Sequence, residues 1–112
     1  RAHAWMRIRE RLPDDPALHA CAIAYLSDDT PMSACLSLHP ARQPDGIANF
    51  VEASLDHSVW FHRPVRADAW QLHEFESAGM AGARGLSLGR IFDIAGTHVA
   101  TVAQEVLLRV RT

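Results

Sequence analysis

The chain has 112 residues, 48% of them apolar, and a formal net charge of −2. That length allows one domain with a core of its own, and the balance of charge and hydrophobicity excludes a disordered segment. Nothing in the charge points to nucleic acid or to an anionic membrane, and no apolar run approaches the length of a membrane span. The eleven basic residues are all Arg.

The chain does not open on Met or on a signal-peptide pattern. An alternating segment is already running at Trp5, which is expected of a piece of a longer chain. Over residues 5–12, Met6, Ile8 and Leu12 share one side while Arg7, Arg9 and Arg11 share the other. That is a half-buried strand, ended by Pro13.

Asp14-Asp15-Pro16 reads as a helix start. Asp15 suits the N-cap and Pro16 the first helical position. From Ala17 to Leu26 the segment is almost wholly apolar, which predicts a helix buried on most sides. Cys21 on it reads as a small buried thiol, and Cys21 and Cys35 match no zinc or redox spacing. A reduced domain of the cytoplasm is the expected setting. Asp28 and Asp29 stand at the negative end of the helix dipole, where a cation is favoured. Solvated carboxylates and a functional carboxylate are both open readings there. Residues 32–47 look like a loop, with a short apolar helix or turn near 32–38.

Four strand-like segments follow, over 54–63, 69–78, 85–93 and 98–111. Asp93-Ile-Ala-Gly96 is a hairpin turn, and the Gly-rich stretch 79–85 joins two strands. Strand, helix and four antiparallel strands predict an α+β fold with the sheet around the helix. In the last strand Ala100, Val102, Gln104, Val106, Leu108 and Val110 point one way. Gln104 is the one polar residue on that face, and an inward amide is costly unless hydrogen-bonded. It is either a core Gln bonded to backbone or a polar group aimed into a pocket.

The densest chemistry is "SLDHSVWFHRP", residues 54–64. His57 and His62 are five apart and face opposite sides of one strand, so they do not share a metal ion. His3, His19, His39, His73 and His98 show no ligand spacing, and no metal is expected. No Gly-x-Ser-x-Gly elbow marks a nucleophile. The chemistry left open is water activation by a carboxylate with polar helpers.

"YLSDDT" after an apolar helix, "ASLDHSVWFHRPVRADAWQLHEFESAGMAGARGL" and "GRIFDIAGTHVATVAQEVLLR" together resemble the acyl-CoA thioesterase II (TesB-type) family over essentially the whole chain. The resemblance implies a hot-dog fold, with a long central helix wrapped by a curved antiparallel sheet. It implies that residues 1–112 are a single hot-dog domain, similar to the C-terminal half of a two-unit enzyme whose N-terminal half is absent. It implies hydrolysis of acyl-CoA to a free acid and CoA without cofactor or metal, the catalytic group falling on Asp28, Ser54 and Gln104. Trp60, Phe61 and Met80 are candidate walls for the acyl chain, and Asp56 and His57 hold strand geometry. Ser54 stands where several relatives carry Thr. The implied partners are an acyl-CoA substrate and either the missing unit or a second copy in a homodimer, with no nucleic acid and no membrane. The rival readings are a non-catalytic acyl-CoA-binding or assembly domain, and a hot-dog enoyl-CoA hydratase or dehydratase with His57 as its base.

Overall fold

The computed structural model describes residues 2–28 and 50–110. The expected turn near 32–38, Cys35 and Arg111 lie outside them. Strand β1 is Ala2–Met6, helix α1 is Pro16–Leu26, and β2 to β5 are Phe50–Phe61, Gln71–Ala81, Arg84–Asp93 and His98–Val110. The strands form one antiparallel sheet in the order β1-β3-β4-β5-β2. The α+β reading and the four later strands hold, with ends shifted by up to four residues.

Three expectations are corrected. The first strand ends at Met6. The alternation beyond it is real, since Ile8 and Leu12 pack against the core, but the Ile8 N–H bonds the Ala67 carbonyl in the 62–70 connection instead of a strand. Among the described residues the helix is eleven residues long, which does not confirm a long one. It opens as predicted, with the Asp15 carboxylate accepting from the Ala17 N–H and Pro16 in the first turn. Nor is it buried on most sides. His19, Ile23 and Ser27 form the buried stripe at i, i+4 and i+8, while Leu18, Cys21 and Tyr25 face outward. Cys21 is therefore exposed, not a buried thiol. Composition says how apolar a helix is, but the contacts of the fold decide which of its sides are covered.

The core lies between that stripe and one face of the sheet. Ile23 packs with Phe75, Ile91, Val99, Ala100 and Val102. Phe75 of β3 faces Gly89 of β4 across the ladder. A Cβ at position 89 would stand 2.2 Å from the Phe75 ring, so glycine is what lets the largest core side chain lie flat on its neighbour. Both β-turns have a visible cause. At 93–96, the Asp93 carboxylate accepts from the Ala95 and Thr97 N–H groups and Gly96 takes φ +86°. At the β3–β4 turn, Gly82 and Ala83 both take positive φ, the mark of a type I′ hairpin.

The 62–70 connection is tied to the approach to α1. Arg66 donates to Asp14, Asp68 and the Leu12 carbonyl, and Asp68 accepts the Leu12 N–H. The Arg66 guanidinium and that N–H hold the Asp68 carboxyl well below the usual carboxylate range. His19 is spent on the same junction, donating to the Pro13 carbonyl and accepting from the Ala67 N–H.

His73 of β3 is wholly buried. Its Nε2–H donates to Gln71 Oε1, whose own amide N–H groups go to the Ala67 and Ala69 carbonyls. Nδ1 has no partner. Burial pushes the imidazole down to about 4, because a proton on Nδ1 would place a charge in the core without an acceptor. With the folded value depressed, the unfolded chain binds the proton first as pH falls. Stability should be full above about 6.5 and drop between there and about 4, by an amount on the order of 3 kcal/mol. Chemical denaturation across that window should show the slope, and His73→Phe should flatten it.

Candidate active site

The site is built where the end of α1 meets β2 and β5. Ser27 caps the helix, with its N–H on the Ile23 carbonyl, and Asp28 follows it into solvent. Gln104 lies in the middle of β5, wholly buried, between Val102 and Val106 on the inward face. Its neighbours across the ladders are His57 of β2 and Ser87 of β4.

One irregularity decides which side chains meet it. In a regular strand Ser54 and His57, three apart, point to opposite faces. The β2–β5 register shifts between Ser54 and Asp56, so that Ser54 lies opposite Val106 and Asp56 opposite Glu105. Leu55 is the extra residue of a β-bulge, and half a pleat is gained there. Ser54 and His57 both turn to the face that carries Gln104. Asp56 helps hold the bulge, because its carboxylate accepts the Glu105 N–H at 3.0 Å. The expected role of Asp56 in strand geometry is thus met by a specific bond.

The side chains form a directed chain of hydrogen bonds. Ser54 Oγ–H donates to Asp28 Oδ1 at 3.1 Å. Gln104 Nε2–H donates to Ser54 Oγ at 2.6 Å. Gln104 Oε1 accepts from His57 Nδ1–H, and His57 Nε2 lies 2.8 Å from Ser27 Oγ. Asp28, Ser54 and Gln104, picked out from the sequence, are therefore in mutual contact through the Ser54 oxygen. The inward Gln bonds side chains, not backbone.

A carboxylate just beyond a helix C-terminus loses the favour of the dipole, and the Ser54 hydroxyl supplies it with a donor. A cleft of about 480 Å³ opens beside Asp28, lined by Trp5, Met6, Arg7, Tyr25, Leu26 and Trp70. Trp60, Phe61 and Met80 do not line it and are each partly exposed. Trp60 lies opposite Thr101, which places it on the face of the sheet away from Gln104, while Phe61 lies opposite Ala100 and lines a separate cleft with Pro16, Ala20 and Pro64. Among the described residues, no three His, Cys, Asp or Glu side chains are grouped to hold a metal ion. What sequence reasoning missed is the bulge at Leu55, and with it the Ser27–His57–Gln104 contact. Nothing in "SLDHS" distinguishes a bulged from a regular strand.

A carboxylate, a hydroxyl and a buried amide joined in this order beside a cleft suit the activation of water. The acyl-CoA thioesterase family model matches residues 1–107. The chain belongs to that family. It is 41% identical to mouse acyl-coenzyme A thioesterase 8 over 96% of its own length, and 37% identical to acyl-CoA thioesterase 2 of Haemophilus influenzae. It spans about a third of each: 32% of the first and 37% of the second. The crystal structure of acyl-CoA thioesterase II TesB2 from Mycobacterium marinum superposes with a TM-score of 0.87 at 43% identity, over 98% of this chain and 41% of that one. The fold alone recurs in AziG of S. sahachiroi, with a TM-score of 0.73 at 15% identity. These thioesterase likenesses and the five-stranded antiparallel sheet carry the hot-dog reading in its coarse form.

Proposed function

We propose that this chain is the C-terminal hot-dog unit of a two-unit acyl-CoA thioesterase, and that Asp28, Ser54 and Gln104 carry out the hydrolysis. The observation that supports this most is the unbroken bonding from the Asp28 carboxylate through Ser54 to Gln104. Asp28 is the general base. It takes a proton from water as the water oxygen adds to the thioester carbonyl. The tetrahedral species then expels the sulfur, the carbon–sulfur bond breaks, and the proton passes to the thiolate. The products are the free acid and CoA. Ser54, held by Gln104, fixes the rotamer of Asp28 and the place of the water, and the gain is one of positioning. The cleft beside Asp28, where Trp5, Tyr25 and Trp70 stand with Arg7, is the place for the acyl-CoA. The cytoplasm is the compartment that fits this reading.

The missing unit bears on the same site. Among the described residues β2 pairs with β5 and with no other strand, so one long edge of the sheet is open. Ser54 lies on that edge strand, and it and Asp28 are exposed. An open edge, together with exposed Leu18 and Tyr25 on α1, invites a second unit. That unit is the N-terminal half in the complete enzyme, or a second copy when the chain is alone.

The dehydratase reading loses support from His57. Both of its ring nitrogens are engaged, by Gln104 and by Ser27, and neither is left to act as a base. A non-catalytic assembly role stays as the second reading, favoured by the exposed apolar helix face.

Release of free thiol from palmitoyl-CoA separates these readings, measured on the polypeptide that carries both units and on the 112-residue chain. The two-unit enzyme should hydrolyse it, and the isolated chain should be weak or inactive. Asp28→Asn in the two-unit enzyme should lower turnover by about 10²-fold or more; near-normal turnover would remove Asp28 as the base. Gln104→Ala should lower turnover while the fold is kept. A lower melting temperature with unchanged specific activity would instead mark Gln104 as core only. In sedimentation, the isolated chain should self-associate at high micromolar concentration, and a monomer throughout would count against pairing at this edge.

A further inference from the structure

We propose that His57 is a positioning residue for the hydrolytic site: its Nδ1–H sets the amide of Gln104 so that nitrogen, not oxygen, faces Ser54. This rests on the hydrolytic reading of Asp28, Ser54 and Gln104.

The argument is one of hydrogen-bond direction. A glutamine amide fits its cavity either way round, because its oxygen and nitrogen are nearly the same size. With oxygen toward Ser54, the hydroxyl would have to donate to it. Asp28 Oδ1, 3.1 Å from the same hydroxyl, would then face a lone pair. With nitrogen toward Ser54 at 2.6 Å, the hydroxyl is free to donate to the carboxylate. Gln104 is buried between Val102 and Val106, so water does not hold its oxygen. The partner at that oxygen is His57 Nδ1, and an amide oxygen accepts only. A hydrogen must therefore stand on Nδ1.

Ser27 permits this. Its hydroxyl is 2.8 Å from His57 Nε2 and 2.9 Å from the Ala24 carbonyl. When the single hydroxyl hydrogen points to Nε2, the ring is the neutral Nδ1–H tautomer. When it points to Ala24, Ser27 Oγ accepts from Nε2–H, and the ring carries hydrogens on both nitrogens. Nδ1 keeps its hydrogen in either arrangement.

Ser27 is also joined by one peptide bond to Asp28. The imidazole thus ties the amide of β5 to the helix end that bears the carboxylate. Asp28, Ser54, Gln104, His57 and Ser27 close a ring, in which His57 touches neither the Asp28 carboxylate nor the Ser54 hydroxyl. It acts through Gln104.

The test is steady-state hydrolysis of palmitoyl-CoA by the two-unit polypeptide carrying His57→Leu, His57→Asn or His57→Gln, together with the tautomer of His57 in the wild type from its ring ¹⁵N shifts. The leucine variant should lose about 10²-fold in kcat with KM little changed, the scale of a misplaced catalytic group. Asparagine places its amide nitrogen near the Nδ1 position and should recover about tenfold of that loss. Glutamine reaches only the Ser27 side and should not. His57→Leu added to Gln104→Ala should cost nothing further, because both act through one contact. Wild-type kcat in the leucine variant, equal rescue by asparagine and glutamine, or additive losses would overturn the proposal. So would a bare Nδ1 in the wild type, a result that needs no variant to fold. If the wild type hydrolyses no acyl-CoA, the hydrolytic reading fails and the catalytic role of His57 with it. The ¹⁵N shifts still report whether Nδ1 carries its hydrogen, so the two failures are told apart.

Discussion

The site depends on one extra residue in an edge strand. Leu55 shifts the β2–β5 register by half a pleat, and without that shift Ser54 and His57 would lie on opposite faces of the sheet. With it, both reach Gln104, one at its nitrogen and one at its oxygen. The bulge leaves the Glu105 N–H out of the ladder, and the adjacent Asp56 carboxylate takes it. The motif "SLDH" is thus a single device. Its serine and histidine address the site, its leucine changes the phase, and its aspartate closes the gap in the ladder. Bulges that re-aim a side chain are found next to active sites for this reason.

The inward face of the sheet tolerates an unusual share of polar groups because almost every one is bonded. Gln104 is held at both ends, and Gln71 gives its N–H groups to the 66–69 carbonyls and its oxygen to His73. Ser27 bonds the Ala24 carbonyl and His57. Among the described residues the orphan is His73 Nδ1, which stays neutral and so carries the smaller penalty of an unpaired lone pair. The two ends of the core serve different purposes. Around Gln71, His73 and His19, polar bonds fasten the 62–70 connection to the sheet and helix. Around Gln104, the bonds run outward to an exposed carboxylate.

The apolar surface follows the same division. Helix α1 buries a narrow stripe and presents Leu18 and Tyr25 outward, and β2 leaves one edge unpaired among the described residues. The exposed residues of the site lie on that helix end and that edge. The domain spans about a third of its curated relatives. Covering that helix end and that edge would remove water from around Asp28, which strengthens electrostatic interactions there.

Local chemistry, written in neighbouring residues, was legible in the sequence. Asp15-Pro16 started the helix where expected, Asp93 to Gly96 made the predicted turn, and the alternation of β5 placed Gln104 inward. The carboxylate at Asp28 and the inward amide both stood out as departures from ordinary helix-end and strand-face chemistry, and the family motifs added Ser54. What the sequence left open was every question of phase and coverage. An apolar segment does not say which of its sides will be covered, so Cys21 and Tyr25 looked buried and are not. A strand motif does not show where it will slip against its partner, because register is set by pairing across the sheet. The polar residues were therefore determined by the sequence. Their meeting around one hydroxyl was decided by tertiary structure, since residues 28, 54, 57 and 104 become neighbours only when β2 pairs with β5 over the helix end.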